Sequence, residues 1–107
     1  MQRPTIQAEG VVYMAPQLRD FPGQEPYVEF VLELEPRTNS LGRDYRERVY
    51  VRLFGAQGKA ALTDIKLGNY VAVAGDADKK MFVAPDGRTF ANLLVITGAY
   101  EILFRPK

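Results

Sequence analysis

Two stretches of strict alternation constrain this chain more than any other feature. Over residues 48–54, Val49, Val51 and Leu53 alternate with Arg48, Tyr50, Arg52 and Phe54. Over residues 27–35, Val28, Phe30, Leu32 and Leu34 alternate with Tyr27, Glu29, Val31, Glu33 and Glu35. Successive side chains of a strand point to opposite faces, so a period of two with one apolar face describes a strand half-buried in a sheet. The first alternation begins upstream at residue 45, giving a strand over 45–54. Further strand signals cover residues 5–14, 70–78 with Gly75 inside, and 89–103 with Gly98 as its candidate break.

What lies between is punctuation. Ala15-Pro16, Phe21-Pro22-Gly23 and Glu25-Pro26 read as a loop, because proline cannot donate to a sheet ladder. Residues 36–44 are polar, with Thr38-Asn39-Ser40 and Gly42, and read as a second loop. The Ala-rich segment 56–64 is the one candidate helix. Leu67-Gly68-Asn69 is a turn, and Ala84-Pro85-Asp86-Gly87 a strong hairpin turn. The order is three strands, a short helix, then two strands. That order predicts an all-β chain folded as a five-stranded OB-fold Greek-key barrel, with the helix between strands 3 and 4. An open sheet would leave more edge to protect. The 107 residues suffice for one domain, 1–107, and not for two.

Composition excludes several chemistries. With no cysteine there is no disulfide framework or thiolate metal site, and with no histidine the commonest general base is missing. Asp76 and Asp78, or the glutamates of the second strand, could hold a divalent ion. No third converging ligand, nucleophile or phosphate-cradling loop accompanies them, so no catalytic residue, metal or cofactor is expected. The glycines at 55 and 58 do not form a dinucleotide fingerprint. No apolar run approaches the roughly 20 residues that span a bilayer, and the N-terminus lacks a signal core. The expectation is a cytoplasmic protein with no membrane partner.

Fourteen basic side chains against 13 acidic ones leave a net charge of +1, so any attraction for a polyanion must be local. Arg48, Tyr50, Arg52 and Phe54 offer such a place. If Val49, Val51 and Leu53 fill the core, these four point outward. They supply what sequence-tolerant binding of a single strand requires: rings on which bases stack and cations along the phosphates. The structural alternative pairs Arg48 and Arg52 across the sheet with Glu33 and Glu35, and has Phe54 close the barrel end. A second candidate group is Lys79, Lys80 and Phe82 at the start of the last hairpin, with Arg88 and Phe90 on its return; a solvated turn is the alternative. A third is the loop bearing Arg37, Arg43, Tyr45 and Arg46.

Five segments in this order carry a family resemblance. Gly10-Val11-Val12-Tyr13-Met14-Ala15-Pro16 with its continuation to Gly23, Phe30-Val31-Leu32-Glu33, Tyr50-Val51-Arg52-Leu53-Phe54-Gly55, Leu67-Gly68-Asn69-Tyr70-Val71-Ala72-Val73-Ala74-Gly75, and Asp86-Gly87-Arg88-Thr89-Phe90 resemble the bacterial single-stranded-DNA-binding protein family. The resemblance implies an OB fold, single-stranded DNA as partner, nucleoid association, and a homodimer or homotetramer acting in replication or repair. It places Tyr50, Arg52 and Phe54 among the strand-binding residues, and Phe82 near a stacking aromatic. That family normally continues into a flexible linker and an acidic tip, whereas the sequence here ends at Phe104-Arg105-Pro106-Lys107, and it has no tryptophan. The short, tail-less form is similar to primosomal replication protein N. This adds a second expectation: an adaptor that contacts replication or primosome proteins, with DNA binding secondary. An OB domain for RNA or oligosaccharide is a third; aromatic faces serve sugars too, but the interleaved arginines favour phosphate over sugar.

Overall fold

The computed structural model describes residues 5–83, 85–87 and 89–106, with the side chains of 79–83 and 89–94 left aside. In chain order the elements are β1 (Thr5–Arg19), β2 (Tyr27–Glu33), β3 (Arg37–Thr38), β4 (Asp44–Tyr45), β5 (Arg48–Leu53), α1 (Gly55–Asp64), β6 (Tyr70–Val83) and β7 (Thr89–Phe104). Five of the strands close a barrel in the order β1-β2-β5-β7-β6. Neighbours run antiparallel, except that β5 and β7 run parallel. With α1 inserted between the third and fourth barrel strands, this is the OB fold expected from the order of elements.

The barrel interior follows from the alternation. Phe30 and Leu32 of β2, Val49, Val51 and Leu53 of β5, Val71 and Val73 of β6, and Ile96 of β7 form one buried cluster. Ala61 of α1 and Ile65 just after it complete the cluster at one barrel end. The helix approaches closely because Gly58 has no side chain: a Cβ there would lie 2.8 Å from the Leu53 carbonyl oxygen and 3.1 Å from Val28 Cγ2. Buried Asn69 fixes the turn that follows. Its Oδ1 accepts from the Lys66 N–H at 2.9 Å, and its carbonyl accepts from the Val12 N–H at 2.9 Å.

The structure differs from the sequence reading in six places. β1 runs on through Ala15 and Pro16 to Arg19 rather than ending at Met14. Its register with β2 shifts between Val12 and Met14 and again between Met14 and Gln17. The second irregularity takes Pro16 out of the ladder, where its missing N–H costs nothing. β6 continues past Asp78 to Val83. β7 is unbroken at Gly98, which pairs with Gly75. There the two strands come so close that a Cβ on Gly98 would collide with the Ala74 carbonyl oxygen, and one on Gly75 with that of Thr97. The loop 36–44 is part of the small β3–β4 hairpin, in which Asn39 Oδ1 accepts from the N–H groups of Leu41 and Arg43. Because Tyr45 pairs with Arg37 in that hairpin, the strand expected over 45–54 is shorter, β5 running from Arg48 to Leu53. Finally, Val31 and Tyr27 are buried although they share the face of Glu29 and Glu33. Val31 lies in register between Met14 and Tyr50, whose longer side chains flank it. No helix among the described residues is long and apolar enough to cross a membrane.

The Gly75–Gly98 crossing gives a direct test. Gly98→Ala forces the strands apart and should lower stability by about 1–3 kcal/mol, the usual range for overpacking. Urea unfolding followed by far-UV circular dichroism reads it. A midpoint equal to that of the unaltered protein would mean that the crossing has room to spare.

Candidate nucleic-acid interface

The outer face of β1, β2 and β5 is built by register. Antiparallel pairing sets Arg52 opposite Glu29 and Arg48 opposite Glu33. Arg52 Nε donates to Glu29 Oε2 at 3.0 Å, and Arg48 Nε to Glu33 Oε2 at 3.3 Å. Each carboxylate also serves a second arginine. Arg46 Nη1 donates to Glu33 Oε1 at 3.0 Å, and Arg19 Nε lies 3.6 Å from Glu29 Oε1. The carboxylates lie low and the guanidiniums above them: the Glu29 and Glu33 side chains are 11% and 17% exposed, those of Arg46 and Arg48 60% and 49%.

Aromatic rings are woven into these two clusters. The Arg48 guanidinium sits 3.8 Å from the centre of the Tyr13 ring, and that of Arg52 sits 4.7 Å from the Tyr27 ring. Tyr27 is buried between Phe54 and Phe21, with ring centres 5.8 and 6.5 Å away. Tyr13, Phe21 and Phe54 remain exposed, and Tyr50 is half-buried between the two arginine clusters. Four arginines against two glutamates leave this face positive although the chain as a whole is nearly neutral.

The structure therefore brings Arg48, Tyr50, Arg52 and Phe54 together on one outer face. Arg48 pairs with Glu33 as the structural alternative foresaw, but Arg52 pairs with Glu29 and not with Glu35, because the register places Glu29 opposite it. Phe54 does not close the barrel end; it packs on Tyr27 with 38% of its surface exposed. Of the loop group, Arg46 joins the face. Arg37 lies 3.7 Å from Glu47 instead, and Arg43 stands in the β3–β4 connection. The side chains of Lys79, Lys80, Phe82 and Phe90, and Arg88 altogether, lie outside the described residues. Among the described residues no three His, Cys, Asp or Glu side chains gather as a metal site, Asp76 included. Arg19, Tyr13, Phe21 and Tyr27 were missed by sequence reasoning. Arg19 and Tyr27 are register partners, which becomes visible once β1 is carried through Pro16.

The Glu33 carboxyl is held below its ordinary value of 4.5, chiefly by the hydrogen bond from Arg46; burial opposes this, and the hydrogen bond and charge of Arg48 add to the lowering. A depressed carboxylate stabilises the fold above its unfolded-state value, and the contribution is lost as pH falls through the folded-state value. The stability advantage of the unaltered protein over Glu33→Gln should thus be present at pH 6 and shrink at pH 3, measured by paired urea titrations. A gap independent of pH would show that Glu33 acts by shape alone.

Two solved structures share this architecture from end to end. The small single-stranded DNA-binding protein from Streptomyces coelicolor superposes with a TM-score of 0.74 at 22% identity, over 95% of this chain and 95% of that one. The Plasmodium falciparum SSB, in complex with ssDNA, superposes with a TM-score of 0.68 at 13% identity, over 94% of each chain. No protein-family model and no curated relative matches the sequence. At these identities the likeness is one of fold, and there the resemblance read from the sequence is borne out: the barrel is the OB fold in the form that single-stranded DNA-binding proteins have.

Proposed function

We propose that this chain is a non-catalytic single-stranded DNA-binding protein of replication or repair, and that the strand lies across the outer face of β1, β2 and β5. The observation that carries the reading is the interleaving on that face. Exposed Tyr13 and Phe54 and half-buried Tyr50 stand among Arg19, Arg46, Arg48 and Arg52. Bases released from a duplex have flat faces to stack, and arginines can follow the phosphates. The face between the second and third barrel strands is also where OB folds take oligonucleotides. That the Plasmodium SSB is in complex with ssDNA supports single-stranded DNA as the ligand. On this reading Tyr50 and Phe54 stack bases and Arg48 and Arg52 contact phosphates; Lys79, Lys80, Phe82 and Arg88, with Arg37 and Arg43 of the β3–β4 hairpin, are the further contacts proposed.

Self-association as a homodimer or homotetramer belongs to the proposal. Val11, Tyr70 and Phe104 are in register across β1, β6 and β7, and Val11 and Phe104 are exposed. A soluble, nucleoid-associated protein in the cytoplasm fits this role. The second reading, an adaptor for replication or primosome proteins, is favoured by an open apolar pocket of about 410 Å³ at the barrel end. It is lined by Leu18, Pro26, Tyr27, Val28, Leu53 and Leu62, and would suit an apolar side chain of a partner protein.

Titration with oligo-dT and with duplex DNA of equal length separates the readings. Oligo-dT should bind more tightly at every salt concentration, and Tyr50→Ala and Phe54→Ala should each weaken it by about 1–3 kcal/mol. Equal affinity for duplex would sink the stacking argument. Unchanged affinity in both variants, with the fold intact, would favour the adaptor.

The phosphate contacts have their own signature. Log affinity for a single strand falls with log salt by about 0.7 per phosphate contacted, so Arg52→Ala should flatten the slope by about that amount. It should weaken oligo-dT and oligo-dC alike, since a phosphate contact carries no base information. A slope unchanged by Arg52→Ala would leave that side chain as a partner of Glu29 alone.

A further inference from the structure

The two glutamates on the proposed face are an odd choice for a surface that meets phosphates. Glutamate is a poor strand residue, and the ladder uses only its backbone. Yet Glu29 and Glu33 face the arginines directly, and each of the four carboxylate oxygens engages a different arginine. We infer that Glu29 and Glu33 determine specificity: by holding four arginines in shared ion pairs, they withhold the face from polyanions that offer charge without free bases, duplex DNA above all. This rests on reading the face as the single-strand surface.

The argument is one of unequal loss. A phosphate reaching Arg48 or Arg52 meets a guanidinium already partnered by a carboxylate at 3.3 or 3.0 Å. It must displace that carboxylate or share the arginine with it, so the electrostatic part of binding is reduced for every polyanion. The stacking part is left alone, because Tyr50 and Phe54 are not partners of either glutamate. A single strand retains stacking; a duplex, whose bases are already stacked on one another, has only the reduced electrostatic part. The duplex also draws more from each freed cation, with about 0.9 in salt slope per phosphate against about 0.7 for a single strand. Acid placed beneath the arginines therefore costs the duplex more than the single strand. The net result is a face on which rings decide and charge assists.

The test is a titration of oligo-dT and of duplex DNA of equal length against the unaltered protein and Glu29→Gln/Glu33→Gln. Glutamine preserves shape and one acceptor oxygen and removes the charge. Duplex affinity should rise by about tenfold and oligo-dT affinity by about threefold, with both salt slopes steeper, as freed phosphate contacts require. The preference for single strands thus narrows. Duplex affinity left where it was, or raised no more than that of oligo-dT, overturns the inference, and so does a fall in oligo-dT affinity, which would mean that the glutamates position the arginines. If the unaltered protein fails to bind oligo-dT, the single-strand reading falls and this inference with it. If it binds and the variant gains no duplex affinity, this inference alone falls. The single variant Glu33→Gln, in the more exposed cluster, should raise duplex affinity about threefold and keeps the test open should the double variant not fold.

Discussion

The parallel ladder between β5 and β7, from Val49 with Leu94 to Arg52 with Thr97, turns five strands into a barrel. Without it both strands would be edges, with unpaired backbone groups facing water or another chain. With it the sheet has one inside, and the period of two assigns every side chain of β5 to core or to surface. Val49, Val51 and Leu53 go in, so Arg48, Tyr50 and Arg52 go out. A slip of one residue would exchange the sets and bury two arginines in an apolar interior, which is why the register is strongly fixed. The six residues of β5 thus complete the core and present the face at once, and neither role can drift without the other.

Closure also requires sharp local bending, and the chain supplies it where side chains are absent. Gly75 and Gly98 face each other where β6 and β7 cross most closely. Among the described residues, β1 pairs with β6 from Val11 with Tyr70 to Thr5 with Asp76, and the β6–β7 ladder runs to Val83 and Thr89. β1 bends by a different device, two register shifts around Met14 and Pro16.

What could be read from the sequence and what could not divide along these physical lines. Alternation is a local property, so β2 and β5 and their inward residues were legible, as were α1 and the turns at Gly68 and Gly87. The passage of β1 through Pro16 was not, because proline argues against a strand unless a bulge removes its backbone from the ladder, and a bulge exists only relative to a partner. Gly98 misled for the same reason: it looked like a break, and it is the place where two continuous strands touch. The outer face was half legible. Arg48, Tyr50, Arg52 and Phe54 announced themselves within one strand. Arg19, Tyr13 and Tyr27 reach the same face from two others. That Arg52 meets Glu29 rather than Glu35 depends on a cross-strand register that alternation leaves open.

A net charge of +1 is compatible with two opposite arrangements: charges mixed evenly over the surface, or segregated so that one face is positive. The observed one is intermediate in a specific way. Glu29 and Glu33 sit inside the arginine group rather than across the molecule from it, and each oxygen pair is divided between two guanidiniums. Each cluster keeps one surplus positive charge, and the arginines stay more exposed than the carboxylates beneath them. Segregating the same residues would raise the field over the face, and with it attraction for any polyanion, regardless of whether bases are free. Salt screens either field beyond about 8 Å at physiological ionic strength, and interleaving weakens it further, toward the range of direct contact. At that range the rings of Tyr13, Tyr50 and Phe54 are also in reach, so on the proposed face stacking and charge would act together.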